Sequence, residues 1–166
     1  MSIDTVTETT QYLSFKLGEE IFAVDVAKVR EILDVIAITK VPQTPDFMRG
    51  VINLRGSVVP VMDMRLKFGM PPTERTVNTC IIVMEVTQEG ETMVLGSLAD
   101  SVQEVLDLEP DQIEPAPRIG TRLRSDFVKG MGKYNDRFII ILDIDRIFSA
   151  GELEVIADTI SEDKPE

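Results

Sequence analysis

The sequence predicts a mainly β protein built as two similar small barrels, and three observations carry that prediction. Short segments that alternate apolar and polar residues recur along the chain, separated by turn residues. A weak but ordered internal repeat relates the two halves. Sustained helical spacing occurs only near the C-terminus.

Taken in order, Leu13, Phe15 and Leu17 alternate with polar residues, Gly18-Glu19-Glu20 turns the chain, and Phe22, Val24 and Val26 alternate again, which predicts a hairpin. Val51 to Leu54 and Val58 to Met62 are apolar runs joined at Arg55-Gly56, where glycine supplies the positive φ of a tight turn. Asp63 opens the segment to Phe68 and can cap a single helical turn. Cys80 to Val86 and Met93 to Leu98 form a third hairpin through Gln88-Glu89-Gly90. The acidic stretch Glu104, Asp107, Glu109, Asp111, Glu114, threaded with Pro110, Pro115 and Pro117, reads as a solvated connection and lacks the ligand order of a calcium loop. Asn135-Asp136, both tolerant of left-handed φ, make a further turn, and Asp143 to Phe148 is a second capped turn. Ser149-Ala150-Gly151-Glu152 has the form of a capping box. Leu153, Ile156, Ala157 and Ile160 follow at helical spacing, so an amphipathic C-terminal helix covers one lobe, with Gly151 weakening its first turn.

The repeat falls in two blocks. At an offset of 73, Arg30-Glu31-Ile32-Leu33-Asp34 matches Gln103-Glu104-Val105-Leu106-Asp107. At an offset of 80, Phe47, Arg49, Gly50, Val59, Val61, Asp63 and Phe68 fall on Phe127, Lys129, Gly130, Ile139, Ile141, Asp143 and Phe148. One insertion within Pro117 to Leu123 reconciles the offsets, and the lobes are expected at about 18–78 and 79–160, sharing an interface because each alone buries little.

Composition narrows the function. The 166 residues carry 17 basic and 29 acidic side chains, net −12, a field that repels phosphate backbones and anionic lipid. The imbalance is local, since residues 1–78 hold 9 basic and 10 acidic side chains and residues 79–166 hold 8 and 19. With no histidine and a single cysteine, the chain lacks Ser-His and Cys-His nucleophile pairs, His-ligated or Cys₄ zinc, and an intrachain disulfide. Cys80 reads as a core thiol, Met48, Met62, Met64 and Met70 as core filler, and Asp143 with Asp145 as a capped turn rather than a metal pair. Gly130-Met131-Gly132 lacks the third glycine of a dinucleotide fingerprint. No cofactor or metal is expected, nor a membrane-spanning run or signal segment, and the cytosol is the expected compartment.

One segment exceeds what folding requires. Arg49-Gly50-Val51-Ile52-Asn53-Leu54-Arg55-Gly56 sets two guanidinium groups and an amide around a hairpin that needs only its glycine. The equivalent turn, Asn135-Asp136, drops the arginine, so the choice lies between a merely solvated turn and a recognition site.

At this stretch the sequence resembles the CheW family, the adaptors that couple chemoreceptors to the histidine kinase CheA. The residues that carry the resemblance are Gly50-Val51-Ile52-Asn53-Leu54-Arg55-Gly56-x-Val58-x-Pro60-Val61-x-Asp63, with Val29-Arg30-Glu31-Ile32-Leu33 and Pro115-Ala116-Pro117, over about residues 11–160. The resemblance implies two five-stranded SH3-like barrels around a shared seam, with strand 11–17 as a candidate member of the second. It further implies a non-enzymatic scaffold, monomeric when free, that binds the cytoplasmic tip of receptors and the regulatory domain of the kinase and is recruited to receptor arrays. Carried over by position, receptor contacts fall on Val29, Glu31, Gly50, Asn53, Leu54 and Arg55, and kinase contacts on a second-lobe hairpin at Leu95, Gly96, Ser97 and Asp100. The Thr-rich residues 1–10 and acidic residues 161–166 have no counterpart and are expected to be disordered tails. A twitching-type pathway served by the same adaptor, a ligand- or oligonucleotide-binding barrel, and an enzyme of carboxylates alone are the alternatives. The last two want an aromatic basic face or paired acids that the chain scarcely offers.

Overall fold

The computed structural model describes residues 10–114 and 127–162. Strands β1 (Thr10–Leu17) and β2 (Glu20–Asp25) form the first hairpin, and a 3₁₀ turn over Val26–Lys28 leads into β3 (Val29–Asp34). Strands β4 (Met48–Leu54) and β5 (Ser57–Asp63) run into a single helical turn, α1 (Met64–Lys67), capped by the Asp63 carboxylate as expected. A long hairpin of β6 (Cys80–Gln88) and β7 (Glu91–Ala99) follows, then β8 (Ser101–Leu108) and the two-residue β9 (Ile113–Glu114). Strands β10 (Val128–Tyr134) and β11 (Arg137–Leu142) make the last hairpin before α2 (Ala150–Glu162). The capping box that starts α2 is made on both sides, Ser149 N–H to Glu152 Oε1 at 2.8 Å and Glu152 N–H to Ser149 Oγ at 3.0 Å.

The strands form two curled sheets, in the orders β3-β6-β7-β5-β4 and β8-β1-β2-β11-β10-β9. The plan is the same in both. β5 runs parallel to β7 through Val61 and Gly96, as β11 does to β2 through Ile141 and Ala23. The ladder shifts register just before Gly50 in β4 and just before Gly130 in β10. Asp63 N–H donates to the Phe47 carbonyl at 2.6 Å, and the repeat-related Asp143 N–H donates to that of Phe127 at 2.9 Å. The 80-residue repeat is therefore a repeat of backbone geometry.

Three expectations need correction. The lobe limits 18–78 and 79–160 put β2 in the first lobe and β6–β7 in the second, whereas the sheets exchange these hairpins. β1–β2 completes the sheet of β8, β10 and β11, and β6–β7 completes that of β3 to β5. The two hairpins have the same alternating pattern, and periodicity reports a local pair without its distant partner. The acidic stretch, read as a connection, is a strand as far as Leu108. Its pattern is carried by buried Leu106 and Leu108 while Glu104 and Asp107 face solvent. The ordered elements also reach further than expected, since Thr10 pairs with Leu108 and α2 runs to Glu162. The insertion at 117–123, Pro115 to Pro117 and the rest of both tails lie outside the described residues.

Strand alternation sorts the apolar side chains into three cores. Ile52, Val59, Val61, Ile81, Val83 and Leu98 fill the first barrel, while Tyr12, Ala23, Leu106, Leu108, Ile139 and Ile141 fill the second. The opposite faces of both sheets, with α1 and α2, bury the largest cluster in a seam between the barrels. Phe15, Phe22, Phe68 and Phe127 stack in succession there, the last pair 5.1 Å apart. The repeat maps the Phe68–Phe127 contact onto Phe148–Phe47, whose centroids lie 5.4 Å apart, so the seam keeps an approximate twofold relation. Burial pushes the Cys80 thiol upward from its usual range, as befits a core thiol.

Polar clasps close the seam at its margins. Arg65 and the Gly18 N–H both reach Asp100, Lys28 and the Thr87 N–H both reach Asp145, and Lys67 reaches Glu152. Burial opposes ionisation of Glu152, but the Lys67 ammonium and the Ser149 groups outweigh it and hold its carboxyl below the usual carboxylate range. A carboxylate depressed in this way stabilises the fold above its unfolded value, and the contribution is lost as pH falls through the folded value. Glu152→Gln is expected to lower the urea midpoint at neutral pH and to match the wild type once both are titrated to about pH 2. Equal deficits at both pH values would show that the loss does not come from the charge of Glu152.

Candidate functional site

The first barrel closes through the tip of the β4–β5 hairpin. Arg55 and Gly56 have φ of 51° and 90°, and Asn53 Oδ1 accepts from the Gly56 N–H at 2.9 Å, locking the turn. Left-handed φ suits Asn or Gly far better than Arg, and the equivalent turn does use Asn135 and Asp136, with φ of 52° and 63°. Arg55 is thus tolerated in the turn, and its side chain is directed elsewhere. Its Nη2 meets the Glu31 carboxylate on β3, the strand at the opposite edge of the same sheet. The arginine side chain remains 70% exposed while Glu31 is 29% exposed, so the pair fixes a guanidinium without covering it.

The six residues expected to form one groove are placed unequally. Glu31, Asn53, Leu54 and Arg55 meet at this end of the barrel, with Leu54 half-buried against the barrel core. Val29 does not join them. A register shift between Val29 and Glu31 sends Val29 to the seam side, where it packs beside the larger cluster. Gly50 is buried, and a Cβ built on it would lie 2.2 Å from the Thr39 carbonyl oxygen, so its part is to let the segment after β3 close on β4. Arg49, grouped with the turn from sequence, instead binds the fully buried Asp63 at 3.0 Å.

The kinase set is corrected more sharply. Leu95, Gly96 and Ser97 lie in the middle of β7, in the first barrel's sheet, and all three are buried, Leu95 and Ser97 at 0% exposure. A strand covered on both faces presents no side chain to a partner. Asp100 is partly exposed, and its carboxylate is occupied by Arg65 and the Gly18 N–H. Ile32, 44% exposed on β3 between Glu31 and Leu33, is not part of this site, because strand alternation turns it to the opposite face, in register with Ile82 of the seam cluster.

A family model for the CheW-like domain matches residues 11–152, nearly the whole described chain. The chain belongs to the CheW-like domain family. Curated relatives include the chemotaxis protein CheW of Klebsiella aerogenes, 36% identical over 88% of this chain and 86% of that one. The probable chemotaxis protein CheW of Rhizobium etli is 34% identical over 87% of this chain and 90% of that one. Among solved structures, the scaffolding protein TtCheW of Thermoanaerobacter tengcongensis superposes with a TM-score of 0.76 at 32% identity, covering 92% of this chain and 96% of that one. The CheW-like domain is therefore seen here with both SH3-like barrels, and in this chain the β4–β5 hairpin carries Arg55 to Glu31 on β3. No helix of the described residues is long and apolar enough to cross a membrane, and no group of three potential metal ligands occurs among them.

Proposed function

We propose that this chain is a non-enzymatic adaptor of chemotaxis, working in the cytoplasm, that joins the cytoplasmic tip of chemoreceptors to a CheA-type histidine kinase within receptor arrays. The observation that carries the reading is an exposed arginine held on the tip of a turn that would fold better without it. Recognition is helix-in-groove: Leu54 supplies apolar area, and Arg55, oriented by Glu31, sets register on the receptor hairpin. Val29 packs toward the seam and Gly50 seats the Thr39 segment against β4, so both act through the scaffold rather than by contact. Kinase contact falls to the outer barrel surfaces, with Leu95, Gly96 and Ser97 packing β7 from within.

Stability and recognition separate the roles of Arg55. An exposed ion pair is worth about 0.2–1 kcal/mol to folding, whereas an oriented arginine anchor can exceed about 2 kcal/mol in binding. Arg55→Ala is expected to leave the melting temperature nearly unchanged and to weaken binding of a purified receptor cytoplasmic fragment about tenfold or more, with binding of the kinase regulatory domain retained. Arg55→Asn makes the test stricter, because asparagine favours the left-handed turn and should slightly raise stability while losing the receptor equally. Receptor affinity unchanged in both variants, measured by calorimetry, would overturn the site.

A further inference from the structure

Arg49 and Arg75 converge on a cleft of about 250 Å³ in the wall of the first barrel, away from the hairpin tip. Each guanidinium offers five N–H donors. Arg49 gives one to Asp63 at 3.0 Å and Arg75 one to the Val35 carbonyl at 3.2 Å, and among the described residues neither has another acceptor. Asp63 does not cancel both charges, because it is one carboxylate, already accepting from the Arg65 N–H at 3.1 Å and from the Thr73 N–H and hydroxyl at 2.9 and 2.8 Å. Among the side chains that line the cleft or bind its arginines, the balance is one positive charge, on a chain whose total is −12. Much of its remaining lining is aliphatic, from Val35, Ile36, Ile38 and Leu98.

We infer that this cleft binds a small monocarboxylate bearing a branched aliphatic group. Two planar guanidinium forks match the two oxygens of a carboxylate, and one net charge matches one anion. A phosphate dianion would give up its water to aliphatic walls at a cost that a single charge does not offset. The volume is below the roughly 300–1,000 Å³ of drug-sized sites, so the ligand is short. Ile38 also abuts Gly50, and the adjacent Thr39 pairs with Val51, so a ligand held here lies against the segment that closes the barrel.

The test is a titration of the full-length ¹⁵N-labelled chain at neutral pH with 4-methylpentanoate, with 4-methylpentanamide and inorganic phosphate as separate arms. The expected result is saturable shifts confined to residues 35–38, 49, 73–79 and 98, with the amide and phosphate each binding about tenfold or more weakly. Arg75→Gln should weaken the acid by about the same factor. Ile36→Glu, at an exposed position, should do likewise by placing a competing carboxylate at the mouth. Shifts that do not saturate or spread over the surface, an amide or phosphate that binds as well as the acid, or an Arg75→Gln chain of wild-type affinity would each overturn the site.

Discussion

Gly50→Ala is expected to lower the unfolding free energy by about 3–5 kcal/mol, among the largest effects a single methyl group can have. Gly50 has a φ of 146°, and an added Cβ would lie 2.2 Å from the carbonyl oxygen and 2.8 Å from the carbonyl carbon of Thr39. Those atoms are backbone and are held from both sides, Thr39 N–H to the Val51 carbonyl at 2.8 Å and Val51 N–H to the Thr39 carbonyl at 2.9 Å. The clash can be relieved only by breaking this bridge or by straining β4. In a chain of this size each kcal/mol moves the melting temperature by about 2–4 °C, so urea and thermal unfolding will both register the change. Gly50→Arg is expected to lose receptor binding as well. It does so by displacing β4 rather than by filling a groove, so binding and stability should fall together. A Gly50→Ala chain with the wild-type midpoint would refute the packing argument.

Asp63→Ala should cost about as much, about 3–5 kcal/mol, for an electrostatic reason. Its carboxylate is 0% exposed and accepts from Arg49, from the Arg65 and Thr73 N–H groups and from the Thr73 hydroxyl. Deleting it leaves buried donors unpaired and releases the loop that Thr73 anchors. The repeat supplies an internal control. Asp143 occupies the same place in the second lobe but is partly exposed, caps only the Asp145 N–H and lies 3.7 Å from Arg146, so Asp143→Ala should cost about 1 kcal/mol. Chemical denaturation of the two variants side by side measures the difference, and equal losses would show that burial of Asp63 carries no special weight.

Much of the local structure was legible because local rules decide it. The Arg55-Gly56 and Asn135-Asp136 turns, the Asp63 and Asp143 caps and the Ser149–Glu152 box all depend on residues within a few positions of one another. The partnership of sheets was not legible, because β2 and β7 read alike and only the closed fold decides which of them β5 joins. The site divides along the same line. Arg55 was conspicuous as the residue its repeat partner omits, and Glu31 came with the family signature. The burial of Gly50 depends on Thr39 arriving from another segment, and that of Leu95 to Ser97 on a seam no single strand reveals. Val29 was misplaced by a one-residue bulge, which reverses the facing of side chains without a trace in the pattern.

The exchanged hairpins bear on how the chain comes to be folded during synthesis. β1 is made before every other strand described, yet its outer neighbour is β8, and β2 waits for β11, where Phe22 meets Ile140. The second barrel therefore cannot close until β11 has been made. The first barrel, whose strands lie between Val29 and Ala99, can assemble earlier, but its seam face stays bare until the second arrives. Pairings of such long sequence separation slow folding and leave strand edges open in the interval. Truncation at either end should thus damage the same barrel, and the nascent chain has a window in which its unpaired hairpin can pair with the wrong strand.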